Sequence, residues 1–158
     1  MNDTSDLTTD SRGGLKIHPP LFAAVLLAGT LILHALFEHG GVAAHQLLGL
    51  LLVAGGIGVC FFAAALFQAR DTTKNPYSEP SRFVVERPYT LTRNPMYLGI
   101  TLALLGFAIF FSSVVMMLAP IGFFVALDQL VIPNEEAAME RLFGSQYLDY
   151  KARVRRWL

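Results

Sequence analysis

The sequence predicts an all-α integral membrane protein with four transmembrane helices, followed by an amphipathic C-terminal helical segment. Hydrophobic residues make up 54% of the 158 residues and charged residues only 15%, whereas soluble domains carry about 25% charged residues. Four apolar runs approach the roughly 20 residues that a helix needs to span the hydrocarbon core of a bilayer. We predict the transmembrane helices at residues 20–37, 47–67, 96–111 and 114–132.

The first apolar run is interpreted as a retained transmembrane helix and not as a secretory signal peptide. The leader before it carries Asp3, Asp6 and Asp10, whereas a signal peptide begins with a short, positively charged segment. Residues 1–16 are polar and show no apolar periodicity, so we expect them to form a disordered cytoplasmic leader. Residues 17–158 then make a single membrane domain.

Small residues in the second and third runs predict close packing of these two helices. Ala54 and Gly58 have the small-xxx-small spacing of packed membrane helices, and a similar stripe runs from Gly99 to Gly106. Such stripes could equally leave room for a flat ligand. The only cysteine, Cys60, lies inside an apolar run. A disulfide within the chain is therefore excluded, and Cys60 is interpreted as a small packing residue.

The fourth run is separated from the third by residues 112–113 alone, which predicts a tight antiparallel hairpin. Pro120 lies inside this run and predicts a kink. Asp128 also lies inside it, and an intramembrane carboxylate indicates a functional site. The alternative is a structural pairing of Asp128 with Gln68, Arg70 or another helix.

The basic residues predict that both termini lie in the cytoplasm. All twelve lysines and arginines precede the first helix, follow the fourth, or belong to the loop between helices two and three. The other two connections carry none, so the positive-inside rule puts this loop and both termini on the cytoplasmic side. The residues are Arg12, Lys16, Arg70, Lys74, Arg82, Arg87, Arg93, Arg141, Lys151, Arg153, Arg155 and Arg156.

A polar cluster lies where the basic loop ends and the third helix begins. Pro95 suits the first turn of a helix, where its missing N–H is not needed. The free N–H groups of that turn and the Arg93 guanidinium could bind a carboxylate or a phosphate. Tyr97 could stack on a ring or donate a hydrogen bond. Alternatively, Arg93 is only a basic anchor at the membrane interface.

A second polar cluster follows Pro133 at the end of the fourth run. Glu135 and Glu136 could open a following helix with Asn134 as its cap, because carboxylates are stabilising at a helix N-terminus. They could instead recognise ribose hydroxyls, an amino group or a cationic centre. Adjacent helical residues point about 100° apart, so only one of the two is expected to face a given ligand.

The rest of the chain is amphipathic, with apolar residues at three- and four-residue intervals from Met139 to Trp157. Gly144 and Ser145 predict the end of one short helix and the start of the next. A basic helix with aromatic residues on its apolar face is typical of a membrane surface, and docking onto the helix bundle is the alternative. The sequence contains no metal-binding, nucleotide-loop or nucleic-acid-binding pattern.

Four segments resemble the isoprenylcysteine carboxyl methyltransferase-like membrane proteins, a family that extends to phospholipid N-methyltransferases. The resemblance covers about residues 68–158, and its motifs occur in order at cytoplasmic helix ends. The segments are 88–99 (PYTLTRNPMYLG), 132–136 (IPNEE), 142–150 (LFGSQYLDY) and 154–157 (VRRW).

The resemblance implies a membrane methyltransferase that uses S-adenosylmethionine and acts on a membrane lipid or a lipophilic small molecule. It implies no metal and identifies no catalytic residue. The best-known members have a histidine where Asn94 stands, and an amide cannot titrate near neutrality, so proton transfer at this position is not implied. The cofactor-binding residues implied are Tyr89, Arg93, Asn94, Pro95, Tyr97, Glu135 and Glu136.

Two other functions fit parts of the pattern. NADPH-dependent membrane reductases of the sterol-reductase type have a similar N-P-x-Y segment and acidic residues, but this chain is short for them and a 2′-phosphate calls for more clustered arginines. A non-catalytic membrane subunit with a vestigial pocket is the second alternative. The sequence does not distinguish a thiol, carboxylate or amine acceptor.

Overall fold

The computed structural model describes residues 18–37, 45–70 and 86–158, which form helices and turns without a strand. The predicted leader and most of the basic loop lie outside the described residues. The α-helices are α1 (Pro19–Phe37), α2 (Gln46–Arg70), α3 (Pro95–Phe110), α4 (Leu118–Ala126), α5 (Ile132–Phe143) and α6 (Ser145–Arg153).

Within the described part of the chain, three helical segments are long and apolar enough to cross a membrane, namely Pro19–Phe37, Gln46–Leu66 and Val115–Phe143. The apolar helix α3 has 16 residues, which agrees with the prediction that the third span is the shortest. Many large apolar side chains on the outside of the bundle are exposed, among them Phe37 at 73%. A surface of this kind suits contact with lipid, so the predicted all-helical membrane fold is confirmed in outline.

α2 and α3 make the most extensive helix contact, and glycines on both helices bring their backbones together. A Cβ added to Gly99 would lie 2.5 Å from the carbonyl oxygen of Gly56, and one added to Gly106 would lie 2.7 Å from that of Gly49. Each helix thus contributes two glycines seven residues apart. The predicted close packing of these two helices is confirmed.

The packing does not use the predicted pair of Ala54 and Gly58. A Cβ added to Gly58 would meet nothing within 4 Å, and Ala54 is exposed. The small-xxx-small rule identified a stripe on the wrong face of α2, because several glycines and alanines in this helix satisfy a small-residue pattern. Only the partner helix decides which of them is covered.

α1 packs mainly against the segment from Val115 to Ala126 and forms the protein core with it. Ala23, Phe123 and Leu127 are buried there. The rings of Phe22 and Phe123 stack with their centroids 6.1 Å apart. This core joins the first span to the last one and leaves α2 to pack against α3.

The hairpin between α3 and α4 turns within a few residues, as predicted. The Ser113 N–H donates to the carbonyl oxygen of Ala108 (3.0 Å). The Ser113 hydroxyl accepts the Met116 N–H (3.1 Å) and so caps the next helical turn. Ser112 has a φ of +52° at the tightest point of the connection.

The irregular part of the last long segment does not lie at Pro120. Pro120 belongs to the first turn of α4, directly after a 3₁₀ turn at Val115–Met117. The wide π-helical turn lies later, at Leu127–Val131, just before Pro133 in α5. Pro133 has no N–H to donate to the preceding turn, which favours this local widening.

The helix continues through Pro133, so Asn134 does not cap a new helix as predicted. Its side-chain nitrogen donates instead to the carbonyl oxygen of Leu130 (2.7 Å). The predicted break at Gly144 is confirmed, because α5 ends at Phe143, Gly144 has a φ of +50° and α6 begins at Ser145. A left-handed residue after a helix is the usual role of glycine.

Candidate functional site

The loop before α3 lies against the C-terminal segment of the chain. The Arg93 N–H donates to the carbonyl oxygen of Arg155 (2.9 Å). The Thr92 hydroxyl (2.9 Å) and the Asn94 side-chain nitrogen (3.1 Å) both donate to the carbonyl oxygen of Arg156. Residues more than 60 positions apart in the sequence are therefore held together by hydrogen bonds to backbone carbonyl oxygens, and Asn94 is one of the donors.

The Arg93 guanidinium is nine-tenths buried and almost fully engaged. Its Nη1 donates to the carbonyl oxygens of Lys151 (3.0 Å) and Val154 (2.8 Å), which end α6. Its Nη2 donates to Glu136 (2.7 Å). Cations stabilise the carbonyl end of a helix. Arg93 therefore stabilises the C-terminal end of α6 and also pairs with the Glu136 carboxylate. Within the described residues, the buried Nε of Arg93 has no hydrogen-bond acceptor.

Glu136 is the centre of a buried ionic cluster. Its side chain is 6% exposed and lies 2.7 Å from Arg93, 3.0 Å from Arg156 and 3.3 Å from Lys151. Three cations around one carboxylate offset the cost of burying its charge. The hydrogen bonds that Arg156 donates to Glu136 also hold the pKa of the Arg156 guanidinium above its ordinary value. We call Arg93, Glu136, Lys151 and Arg156 the Glu136 cluster.

Asp128 extends this cluster toward the C-terminus. Its Oδ1 accepts hydrogen bonds from Arg156 (3.1 Å) and from the indole N–H of Trp157 (2.9 Å). In the described residues Asp128 therefore has structural partners, which belong to the C-terminal segment and do not include Gln68. The side chain of Arg70, the other predicted partner, lies outside the described residues. The π-turn adds a residue to one helical turn, and Asp128 shares Arg156 with Glu136 and not with Glu135.

Glu135 points away from the cluster, as predicted for adjacent residues on a helix. Its Oε1 accepts a hydrogen bond from the Tyr97 hydroxyl (2.6 Å). Tyr97 is half-buried at the start of α3, whereas Glu135 is exposed at the surface. The two acidic residues thus form two separate centres, and of these two carboxylates that of Glu136 is buried and that of Glu135 is exposed.

Tyr89 links the loop to α2 and α6. Its hydroxyl donates to the carbonyl oxygen of Ala63 (3.3 Å), and its own carbonyl oxygen accepts the hydroxyl of Tyr150 (2.7 Å). Burial raises the pKa of Tyr89 to about 12 and also raises the pKa of Tyr150. Both rings are neutral at physiological pH and act here as hydrogen-bond donors.

Alkaline pH is expected to destabilise the fold through Tyr89. An unfolded tyrosine ionises near its ordinary value of 10.0, whereas the folded pKa is about 12. The folded state therefore holds a proton that the unfolded state releases, and the stabilisation present below pH 10 is lost as the pH rises through 12. The free energy of unfolding should fall between pH 10 and pH 12, and less steeply in a Tyr89→Phe variant. Equal slopes in both proteins would contradict this account.

The seven predicted site residues lie near one end of α3, but the structure divides them into separate roles. Arg93 pairs with Glu136, Tyr97 pairs with Glu135, and Pro95 is buried at the first helical position. The sequence analysis did not assign Lys151, Arg156 and Trp157 to the site. It used them for charge and amphipathicity, and it used Arg156 and Trp157 also as part of the family-like segment 154–157. A buried carboxylate needs cationic partners, and the basic C-terminal segment was the nearest source of them.

Comparisons with known proteins agree with the predicted membership. The sequence model described as phospholipid methyltransferase matches residues 44–146. An uncharacterized protein of Haemophilus influenzae (strain ATCC 51907 / DSM 11121 / KW20 / Rd) is 38% identical over 63 residues, which are 40% of this chain and 100% of that protein. No solved structure matches the chain.

Proposed function

Because this chain belongs to the phospholipid methyltransferase family, we propose that it transfers a methyl group from S-adenosylmethionine to a membrane lipid or another lipophilic acceptor. The family is one of methyltransferases, and the apolar helices make the chain a multi-pass membrane protein. The reacting group of the acceptor is a thiol, a carboxylate or an amine. The orientation with both termini in the cytoplasm remains part of the proposal.

The observation that carries the proposal is the exposed Glu135 carboxylate, held by Tyr97 beside the buried Arg93. The cofactor has two cationic groups, a sulfonium and an amino group, and one carboxylate. Glu135 and the aromatic face of Tyr97 suit the cations. The buried Nε–H of Arg93 has no acceptor among the described residues and could donate a hydrogen bond to a carboxylate that reaches it. This donor and acceptor set therefore fits the group.

The role of the Glu136 cluster is to hold these side chains in place. Glu136 forms an ion pair with Arg93. The carbonyl oxygens of Lys151 and Val154 at the end of α6 orient the Arg93 guanidinium. Asn94 and Thr92 tie the loop to Arg156 in the same way. A rigid polar frame of this kind positions reactants more effectively than mobile side chains do.

When it is bound, S-adenosylmethionine supplies an activated methyl group that is transferred by direct displacement. The protein then needs to align the acceptor and exclude water, and it needs no covalent nucleophile. We therefore assign Tyr89, Arg93, Asn94, Pro95, Tyr97, Glu135 and Glu136 to binding and positioning, and we assign no general base.

The reductase alternative is less well supported by the arrangement of the arginines. A 2′-phosphate requires arginines with free donors. Arg93 and Arg156 instead donate to Glu136, and Arg156 also donates to Asp128. A non-catalytic subunit would bind neither cofactor.

Calorimetric titration of the purified protein in detergent distinguishes these functions. We expect S-adenosylmethionine to bind and NADPH not to bind. Because a hydrogen bond to a charged group contributes about 1.5–3 kcal/mol, Glu135→Gln should weaken cofactor binding by about tenfold or more. Asp149→Asn removes an exposed carboxylate elsewhere on the surface and should have no effect.

Methyl transfer is measured with labelled S-adenosylmethionine and a total lipid and metabolite extract, and the product is identified by mass spectrometry. A methylated lipophilic product from the parent protein, reduced in Glu135→Gln, is the expected result. Binding of NADPH without binding of S-adenosylmethionine would exclude the proposed function. Binding of neither would identify a vestigial pocket.

A further inference from the structure

An apolar cavity of about 200 Å³ lies between α1, α2 and α3. α1 packs mainly against the last long segment and α2 packs against α3, so a gap remains between α1 and α2 with α3 as its floor. The side chains around it are entirely apolar or are those of small residues. Representative wall residues are Ala24 and Leu27 of α1, Ile57 and Cys60 of α2, and Ala103 and Phe107 of α3.

The cavity opens sideways toward the lipid-facing surface. Ala24, Ile57 and Phe61 line it and are themselves exposed on the outside of the bundle. Gly56 and Gly99, which bring α2 and α3 together, also lie in its wall and contribute no side chain to fill it. A hydrocarbon chain could therefore enter from the bilayer without separating the helices that pack most closely.

One end of the cavity lies next to the proposed cofactor-binding residues. Ile100, which lines the cavity, follows Tyr97 by three residues on the same face of α3, and Cys60 precedes Ala63, the partner of Tyr89, by three residues on α2. From Gly99 to Phe107 the cavity follows α3 for about 12 Å at the rise of 1.5 Å per residue. It thus leads from the polar end of α3 into the apolar part of the span.

We propose that this cavity binds the hydrocarbon chain of the methyl acceptor while its reacting group lies at Tyr97 and Glu135. The inference rests on the proposed methyltransferase function and adds a site for the acceptor. A dry cavity of about 150 Å³ lined by apolar side chains is known to bind a molecule as large as benzene. A cavity of about 200 Å³ accordingly accepts a segment of an alkyl chain.

Occupancy is tested by photochemical labelling of the protein in detergent with a dodecyl alcohol that carries a terminal diazirine. We expect adducts on cavity residues such as Ala103. Ala24→Phe fills the open rim and should reduce this labelling by about fourfold or more, the factor for one methylene lost from apolar surroundings. Gly55→Phe adds a ring on the opposite, exposed face of α2, where an added Cβ meets nothing within 4 Å, and should leave the labelling unchanged.

The inference is overturned if adducts spread evenly over the lipid-facing helices and do not respond to Ala24→Phe. If Ala24→Phe fails to fold, Ile57→Trp fills the rim of the cavity from α2, at a position that is 44% exposed. It should reduce labelling at Ala103 in the same direction.

Kinetic measurements show whether the cavity holds the hydrocarbon chain of the acceptor or a lipid that takes no part in the reaction. With a long-chain acceptor identified in the extract, Ala24→Phe should raise KM at least fourfold and leave binding of S-adenosylmethionine unchanged. Unchanged kinetics in a variant that has lost the labelling would show a bystander lipid and overturn the inference while the proposed function stands. A parent protein that neither binds S-adenosylmethionine nor methylates an acceptor would overturn the proposed function itself.

Discussion

Replacement of Glu136 by alanine should lower the free energy of unfolding by about 3–5 kcal/mol, the cost of leaving a buried charge without its partner. Of the described partners, Arg93 would keep the carbonyl oxygens of Lys151 and Val154 at the end of α6. Arg156 would keep Asp128. We also expect methyl transfer to be lost, because the loop that contains Arg93 and Asn94 would no longer be held against the C-terminal segment. Denaturant unfolding in detergent micelles and the transfer assay measure the two effects.

Glu140→Ala is the matched control for this change. Glu140 lies one turn further along α5, is 36% exposed and pairs with Lys151 at 2.6 Å. An exposed ion pair contributes about 0–1 kcal/mol, so this variant should unfold nearly as the parent does. A loss in Glu136→Ala no larger than that in Glu140→Ala would show that the cluster does not stabilise the fold.

Replacement of Gly99 by alanine should separate α2 from α3 and cost about 1–3 kcal/mol, as insertion of a methyl group into tight packing does. The new Cβ would lie 2.5 Å from the carbonyl oxygen of Gly56 and 2.8 Å from the backbone nitrogen of Cys60. These are backbone atoms, which cannot move aside as the end of a flexible side chain can. Thermal unfolding in micelles measures the effect.

Gly58→Ala makes the same chemical change on an open face of α2. A Cβ at Gly58 meets nothing within 4 Å, so the alanine should stabilise the helix by about 0.5–1 kcal/mol relative to glycine. Opposite signs for Gly99→Ala and Gly58→Ala are the expected result. Similar destabilisation by both changes would mean that the effect of Gly99→Ala does not come from the close contact between α2 and α3.

Much of the fold could be predicted because its causes lie within short stretches of sequence. The length of an apolar run determines whether it can span a bilayer, so the first three helices were found to within a few residues. The fourth begins as predicted but continues to Phe143 instead of ending at residue 132. Pro95 begins α3 and Gly144 ends α5, since a missing N–H and a left-handed backbone are local properties. The family resemblance of the polar motifs at the helix ends is confirmed by the match to residues 44–146.

The candidate site could be predicted only in part. The sequence indicated Arg93 and Glu136 as neighbours of one pocket, but it described Arg93 as an open anion site. In the structure the guanidinium donates to Glu136 and to two carbonyls of α6. The missing information was the position of the C-terminal segment, whose backbone supplies acceptors that no side-chain pattern reveals.

The sequence by itself therefore determined the class of the protein, its apolar helices and the polar motifs at their ends, because hydropathy and backbone restrictions act locally. Only the tertiary structure decided which carboxylate meets which cation and which glycines meet another backbone. The π-turn before Pro133 determines which carboxylate meets which cation. The position of α3 determines which small residues of α2 are covered. One residue of helical register moves a side chain by about 100°, and sequence spacing does not determine such a shift until the neighbouring helices are in place.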